Sequence, residues 1–226
     1  MKRILLITVL ALFLLSALPV VVFRWLPVPI SAFILEQRID NLIDSKKHSP
    51  VEYDWVPMEK ISRWAGLAVV AAEDQKFPYH HGFDVEAIED AREHNLTHRR
   101  KRGASTISQQ TAKNLFLWPS RTWLRKGVEA YYTVLLETLW PKQRILEVYL
   151  NIAQFGPNTY GVEAAAHRYW HKSASQLSPG ECALLAAVLP NPDRFRAGAP
   201  SLYVQTRADW IQQQMNQLGL NYLAAP

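Results

Sequence analysis

The chain opens on a long stretch without a charge. Residues 4–23, ILLITVLALFLLSALPVVVF, follow Lys2 and Arg3 and precede Arg24. A run of about twenty apolar residues is the length a helix needs to cross the hydrocarbon core of a bilayer. The pattern therefore predicts a transmembrane helix, with Pro19 near its far end as a kink or an exit. A cleaved signal peptide is the competing reading. Its apolar region would be shorter and would end at a small-x-small site. Here Ser16-Ala17 run straight on into Leu18, Val20, Val21, Val22 and Phe23, which favours an uncleaved signal anchor. Lys2 and Arg3 keep the short tail cytoplasmic by the positive-inside rule, and the remainder is exported.

Beyond the anchor the pattern changes twice. Residues 26–57 are punctuated by Pro27, Pro29, Pro50 and Pro57 and read as a connector, with one short amphipathic helix over 32–45. From residue 58 the apolar positions recur at helical spacing, placing Ile61, Trp64, Ala65, Ala68 and Ala72 on one face. The stretch 80–103 is polar and ends in the basic run 98–102 before Gly103. Further helices are predicted over 105–116, 120–140, 142–152, 159–170, 178–189 and 200–218, with Pro119 and Pro141 as stops. Ser178-Pro179-Gly180-Glu181 has the form of a helix start: a serine cap, proline in the first turn and a carboxylate three residues on. Alternating strand patterns are nearly missing, and no segment of 20 to 50 residues repeats. The expected organisation is an anchor over 1–25, a connector over 26–57 and one mainly α domain over 58–226.

Composition narrows the partners. The 226 residues are 49% hydrophobic and 20% charged, which is globular and not disordered. A net charge of +5 and a pI near 9.3 imply an anionic partner: nucleic acid, a phospholipid surface or a phosphorylated substrate. Export argues against nucleic acid. Cys182 is the lone cysteine, so it forms no internal disulfide, and within ECALLAAVLP it reads as a small buried residue. His94 and His98 are four apart, as are His167 and His171, a spacing that can bind zinc. The HExxH pattern does not occur, and a zinc hydrolase is set aside.

Three clusters could carry chemistry. Glu73 and Asp74 close the apolar helix in AVVAAEDQKF. A carboxylate at such an edge is partly desolvated and suited to proton transfer, although alone it is more simply a solvated helix end. Arg125 and Glu129 are four apart with Lys126 on the border of the same face, which in isolation describes a surface salt bridge worth a few tenths of a kcal/mol. In STISQQTAKN, the residues Ser105, Thr106, Gln109, Gln110, Lys113 and Asn114 are too polar for a core helix and short of charge for a solvated one. A face of amides, hydroxyls and one lysine suits sugar hydroxyls and phosphates.

In order, EDQKFPYHHGFD (73–84), GASTISQQTAKN (103–114), RKGVE (125–129), KQRILEVYLN (142–151) and the segment 168–192 resemble the five sequence blocks of the peptidoglycan glycosyltransferases. That family includes monofunctional transglycosylases and the glycosyltransferase halves of bifunctional penicillin-binding proteins. The resemblance implies a lysozyme-like α-helical fold with a small membrane-associated lobe, expected near 94–102 and 115–118. It also implies polymerisation of lipid II, in which Glu73 acts as base on the sugar 4-hydroxyl and undecaprenyl pyrophosphate leaves with inversion. Lys113, Arg125 and Lys126 would receive the leaving charge. Glu129 matches the second glutamate, which would orient Arg125, stabilise the donor sugar or help hold a metal ion. Asp74, Phe77, His81, Thr106, Gln110 and Asn114 match positions that shape the cleft. The two carboxylates should be well separated to admit the acceptor.

No organic cofactor is expected, and Mg2+ or Mn2+ is compatible with the family. Expected partners are lipid II, the lipid-linked glycan chain, the membrane and other cell-wall synthesis proteins. The expected location is the inner membrane, with the catalytic part on the periplasmic side. A lysozyme-like hydrolase is the nearest alternative, but water attack on a neutral glycan would not need the cations around Lys113 and Arg125. Neither Ser-x-x-Lys nor Lys-Thr-Gly occurs, and only about 34 residues follow Pro192. Both facts point away from transpeptidase chemistry.

Overall fold

A computed structural model describes residues 2–44, 49–98, 103–120 and 122–224. The basic run 99–102 and the expected end of the amphipathic helix at Ser45 lie outside the described residues. Among the described residues the protein is mainly α, with ten α-helices and three very short strands.

The anchor forms helix α1, Lys2–Val22. Most of it is exposed, but its last turns are docked on the body of the protein. Val20 is fully buried, and its carbonyl accepts the Trp140 indole N–H at 2.7 Å. Arg144 caps the helix end by donating to the Phe23 carbonyl at 2.8 and 3.0 Å and to that of Leu26 at 2.5 Å. One turn earlier the Ser16 and Tyr131 hydroxyls lie 2.8 Å apart, and Phe13 meets the Tyr131 ring edge-on.

The stretch expected to be a connector is packed. Helix α2, Ala32–Ile43, starts at Ser31, whose hydroxyl accepts the Ile34 N–H, and it buries Ile34. Strand β1, Glu52–Tyr53, pairs in parallel with β3, Thr159–Tyr160, and β2, Gln154–Gly156, pairs antiparallel with β3, in the order β1-β3-β2. Asn151, completely buried, holds both the N–H and the carbonyl of Val56 at 2.9 Å. These bonds replace the ladder that so short a segment cannot form by itself.

The core is built on α3, Arg63–Glu73, which packs against α9, Pro179–Val188, α10, Leu202–Leu218, and α7, Lys142–Ile152. Periodicity predicts one buried face for α3. Instead every residue from Ala65 to Ala71 is buried. Its alanines, glycine and valines are small enough for helices to approach from several sides, so the helix is enclosed. On the other side of α7, helices α5, Ile107–Phe116, and α6, Trp123–Leu139, pack together. α9 starts as its sequence predicts, with Ser178 and Glu181 in a reciprocal capping box, and Cys182 is buried. α8, Val162–Trp170, begins after β3, so the helix expected from 159 starts later.

One helix is not visible in the polar pattern. Within 80–103, α4 runs Val85–Thr97, capped by the Asp84 side chain on the Ala87 N–H, and buries only Ala91. A helix with almost no apolar face gives no periodic signal.

Candidate active site

α3 stops at Glu73 because the next residue turns away to bind elsewhere. Asp74 leaves helical geometry, and its carboxylate accepts the backbone N–H of Ile107, first residue of α5, at 2.9 Å. The same carboxylate receives His80 Nε2 at 2.9 and 3.0 Å. His80 Nδ1 accepts the Gly82 N–H at 3.0 Å, which assigns Nε2 as the ring's donor. Gly82 has φ +89°, and a Cβ there would stand 2.8 Å from the Thr133 methyl group. Only glycine fits this turn. Its carbonyl accepts the Thr106 hydroxyl at 2.7 Å, while the Thr106 oxygen caps α5 in a box with Gln109. The loop after α3 and the start of α5 are thus tied at two points, Asp74 to Ile107 and Gly82 to Thr106.

This join sets the partners of Glu73. Gln110, one turn into α5, donates through Nε2 to Glu73 Oε2 at 3.2 Å, and its own Oε1 accepts the hydroxyl of fully buried Tyr149 at 3.2 Å. Arg207 of α10 reaches Glu73 Oε1 with Nη2 at 3.4 Å. Burial pushes the Glu73 carboxyl above its ordinary range, and Asp74 adds to this, while Gln110, Arg207 and Lys113 pull the other way. Desolvation wins. The result is a carboxylate with raised proton affinity, suited to accept a proton from a hydroxyl.

The second glutamate is deeply buried. Glu129 is 2% exposed, with Arg125 Nη1 on one carboxylate oxygen and Lys126 Nζ on the other. A surface salt bridge is the simplest reading of that sequence spacing, and the structure overturns it: Arg125 is itself almost enclosed. Arg125 Nε is buried without a hydrogen-bond partner. Lys113, projecting from α5, is mostly buried, and burial drives its ammonium pKa down. The negative charges of Glu129 and, more weakly, Glu73 act against that shift, while Arg125 and Lys126 add to it. Its Nζ also lies 5.6 Å from the Phe33 ring centre, which brings α2 to this end of the site.

Around Glu73 opens a cleft of about 840 Å³. Its walls include Asp74, Ser105, Thr106 and Gln110, with Arg207 and Trp210 on the α10 side. That volume suits a disaccharide-sized ligand. Lys113, Arg125, Lys126 and Glu129 do not line it. The base is reached from α5 through Gln110 and the cationic group of α6 is met through Lys113, one turn further along the same helix.

The family model for transglycosylases matches residues 39–216. This chain belongs to the transglycosylase family. A biosynthetic peptidoglycan transglycosylase of Klebsiella oxytoca is 59% identical over 219 residues, covering 96% of this chain and 90% of that protein. The protein of that name in Pasteurella multocida is 56% identical over 205 residues, covering 91% and 83%. One from Salmonella heidelberg is 59% identical over 201 residues, covering 88% and 83%. Membership makes the chain a glycosyltransferase, and the lysozyme-like fold expected for it is consistent with that membership.

At the candidate site, the residues singled out by sequence divide into two groups. Glu73 and Gln110 meet at the cleft, and Arg125, Lys126 and Glu129 form a second, cationic group that acts on Lys113, with half-buried Asn114 beside Lys113. Asp74 and Thr106 line the cleft while spending their bonds on the α3–α5 join. Phe77 is a core residue under the Lys142 ammonium, 4.6 Å from its ring centre. His81 is exposed, and its neighbour His80 makes the contact with Asp74. Of the polar residues in STISQQTAKN, Thr106, Ser108, Gln109 and Thr111 face inward, and Gln110, Lys113 and Asn114 are the half-buried ones. Arg207 and His80 escaped sequence reasoning. Arg207 lies beyond the five blocks, and no spacing within α10 marks it.

Among the described residues the carboxylate expected to help hold a metal ion, Glu129, has no oxygen free for one. Both oxygens of Glu129 are taken by cations, and among the described residues no group of three or more His, Cys, Asp or Glu comes together. His94 and His98 stack with ring centres 4.0 Å apart, and His167 pairs with Glu163.

Proposed function

We propose that this protein polymerises lipid II into linear glycan strands with Glu73 as the base. The observation that carries the reading is the desolvated Glu73 carboxylate, held at the cleft between Gln110 and Arg207. The acceptor's 4-hydroxyl gives its proton to Glu73 as its oxygen attacks the anomeric carbon of the growing chain. The bond from that carbon to undecaprenyl pyrophosphate breaks, with inversion. Pyrophosphate leaves with its own negative charge, so it needs cations more than a proton donor. Lys113, Arg125 and Lys126 supply them, and the unpartnered Nε of Arg125 is a buried donor suited to a phosphate oxygen. Glu129 holds Arg125 and Lys126 in place. The reading assigns no transpeptidase step and routes none through a metal. A divalent cation, where one takes part, would come with the pyrophosphate.

The same reading places α1 across the inner membrane as a single pass, with the catalytic body on the periplasmic side beside its lipid-linked substrates. Its length and composition support a span. Other cell-wall synthesis proteins are its expected neighbours there. Purified full-length protein given lipid II should form polymer, and moenomycin should block it. Glu73→Gln should lower the polymerisation rate roughly 10²- to 10⁴-fold, the usual contribution of a general base. Substantial polymer from a folded Glu73→Gln protein would remove Glu73 from that role.

A further inference from the structure

Arg207 projects from α10, a helix that packs on α3 and α9 through Val204, Ala208, Ile211 and Met215. Those apolar residues fix the helix without help from Arg207. Among the described residues, Glu73 is the hydrogen-bond and ion-pair partner of this guanidinium, across 134 positions of sequence. Three quarters of the side chain is covered, and its Nε is buried with no hydrogen-bond partner. Burying part of an arginine's donor set unpaired is costly. A residue kept only to brace α10 would find carbonyls or carboxylates for those donors.

We propose that Arg207 is a positioning residue for the transfer reaction: it holds Glu73 through Oε1 and steers the carboxylate toward the acceptor hydroxyl. The proposal rests on Glu73 being the base. Gln110 takes Oε2 from the α5 side and Arg207 takes Oε1 from the α10 side, so the carboxylate is gripped at both oxygens. Each oxygen keeps a lone pair for the incoming proton. The charged groups facing Glu73 are Asp74 beside it, Lys113 from α5 and Arg207 from α10, with the Tyr149 hydroxyl from α7. Lys76, Asp84 and Asp90 border the cleft. Lys113 divides its field with Glu129, which leaves Arg207 as the cation in direct contact with the base. Without it the ionised carboxylate loses an attractive charge, and the base stays protonated to higher pH.

The test is the pH dependence of lipid II polymerisation for full-length wild type, Arg207→Met, Arg207→Gln and Arg207→Lys, with thermal unfolding measured alongside. In the methionine and glutamine variants the acid limb should move to higher pH. The loss of kcat should be roughly tenfold on the acid side, the scale of a nearby opposite charge, and should shrink as pH rises. KM for lipid II should change little, and lysine should return the limb toward wild type. If the methionine variant does not fold, the glutamine variant carries the same expectation. An acid limb unmoved in a folded Met or Gln variant overturns the proposal, as does a loss in all three variants that follows their melting temperatures. The underlying base assignment fails separately: it falls if Glu73→Gln still polymerises, whatever Arg207 does.

Discussion

Asp74 is the residue at which two readings diverge most sharply in what they expect of a mutant. Its carboxylate is 7% exposed and accepts both the Ile107 N–H and His80 Nε2–H. In Asp74→Asn the carbonyl oxygen can keep the place of Oδ2, which accepts both donors, but the amide NH2 then stands in the place of Oδ1, 3.0 Å from the donating His80 Nε2, as a buried donor without an acceptor. One buried donor left unpaired costs about 1–3 kcal/mol, and the surviving bonds lose their charge-assisted share, about 1 kcal/mol. The sum is roughly 2–4 kcal/mol. Chains of this size lose about 2–4 °C per kcal/mol, so the melting temperature should drop by order 10 °C. Thermal unfolding of the full-length protein in detergent, followed by circular dichroism, measures it. A cycle with His80→Phe should show strong coupling, because the double variant has no Nε2–H for the amide to face. Polymerisation should fall with stability, since the same bond sets where α5 presents Gln110. A variant that melts with wild type yet makes no polymer would refute this argument and make Asp74 a group that touches substrate.

Other expectations follow from the same geometry. Because burial raises the Glu73 pKa, the folded state favours its protonated form, and the stability this confers is lost as pH rises through the folded pKa. Glu73→Gln should therefore melt no lower than wild type at neutral pH, with any advantage fading toward acid; a marked drop in melting temperature would contradict the desolvation account. Arg125→Ala should lower kcat more than it raises KM for lipid II, as expected for a cation serving the leaving group, and an unchanged turnover rate would exclude it from that role. Ser178→Ala removes the α9 capping bond and should cost about 1 kcal/mol in denaturant unfolding, with little change in specific activity.

The helices that carry the site were legible because they have ordinary signals. Pro141 and Lys142 mark the start of α7 to the residue, and Ser178 with Glu181 marks α9. α4 was not legible, since a solvated helix capped by one aspartate has no periodic apolar face. Glu73, Gln110, Arg125 and Glu129 could be picked out by motif, but their physical state could not. Spacing makes Arg125 and Glu129 neighbours on a helix, and only the tertiary packing of α6, against α5 above all, turns a surface pair into a buried one. His80 and His81 are equally good candidates on paper. The turn at Gly82 decides which ring meets Asp74. Arg207 joins the site through tertiary packing alone, from a helix far along the chain.

The docking of α1 has a mechanical consequence. From Val20 back to Phe13 the anchor advances roughly 10 Å at about 1.5 Å per residue, and Tyr131 of α6 still touches it there. On the proposed reading that residues 4–23 span a bilayer, the body sits at a fixed draught, with the Tyr131 contact of α6 about 10 Å along the anchor from Val20. Lengthening the chain between α1 and α2 would not raise it, because Trp140 and Arg144 grip the end of the anchor ahead of that point.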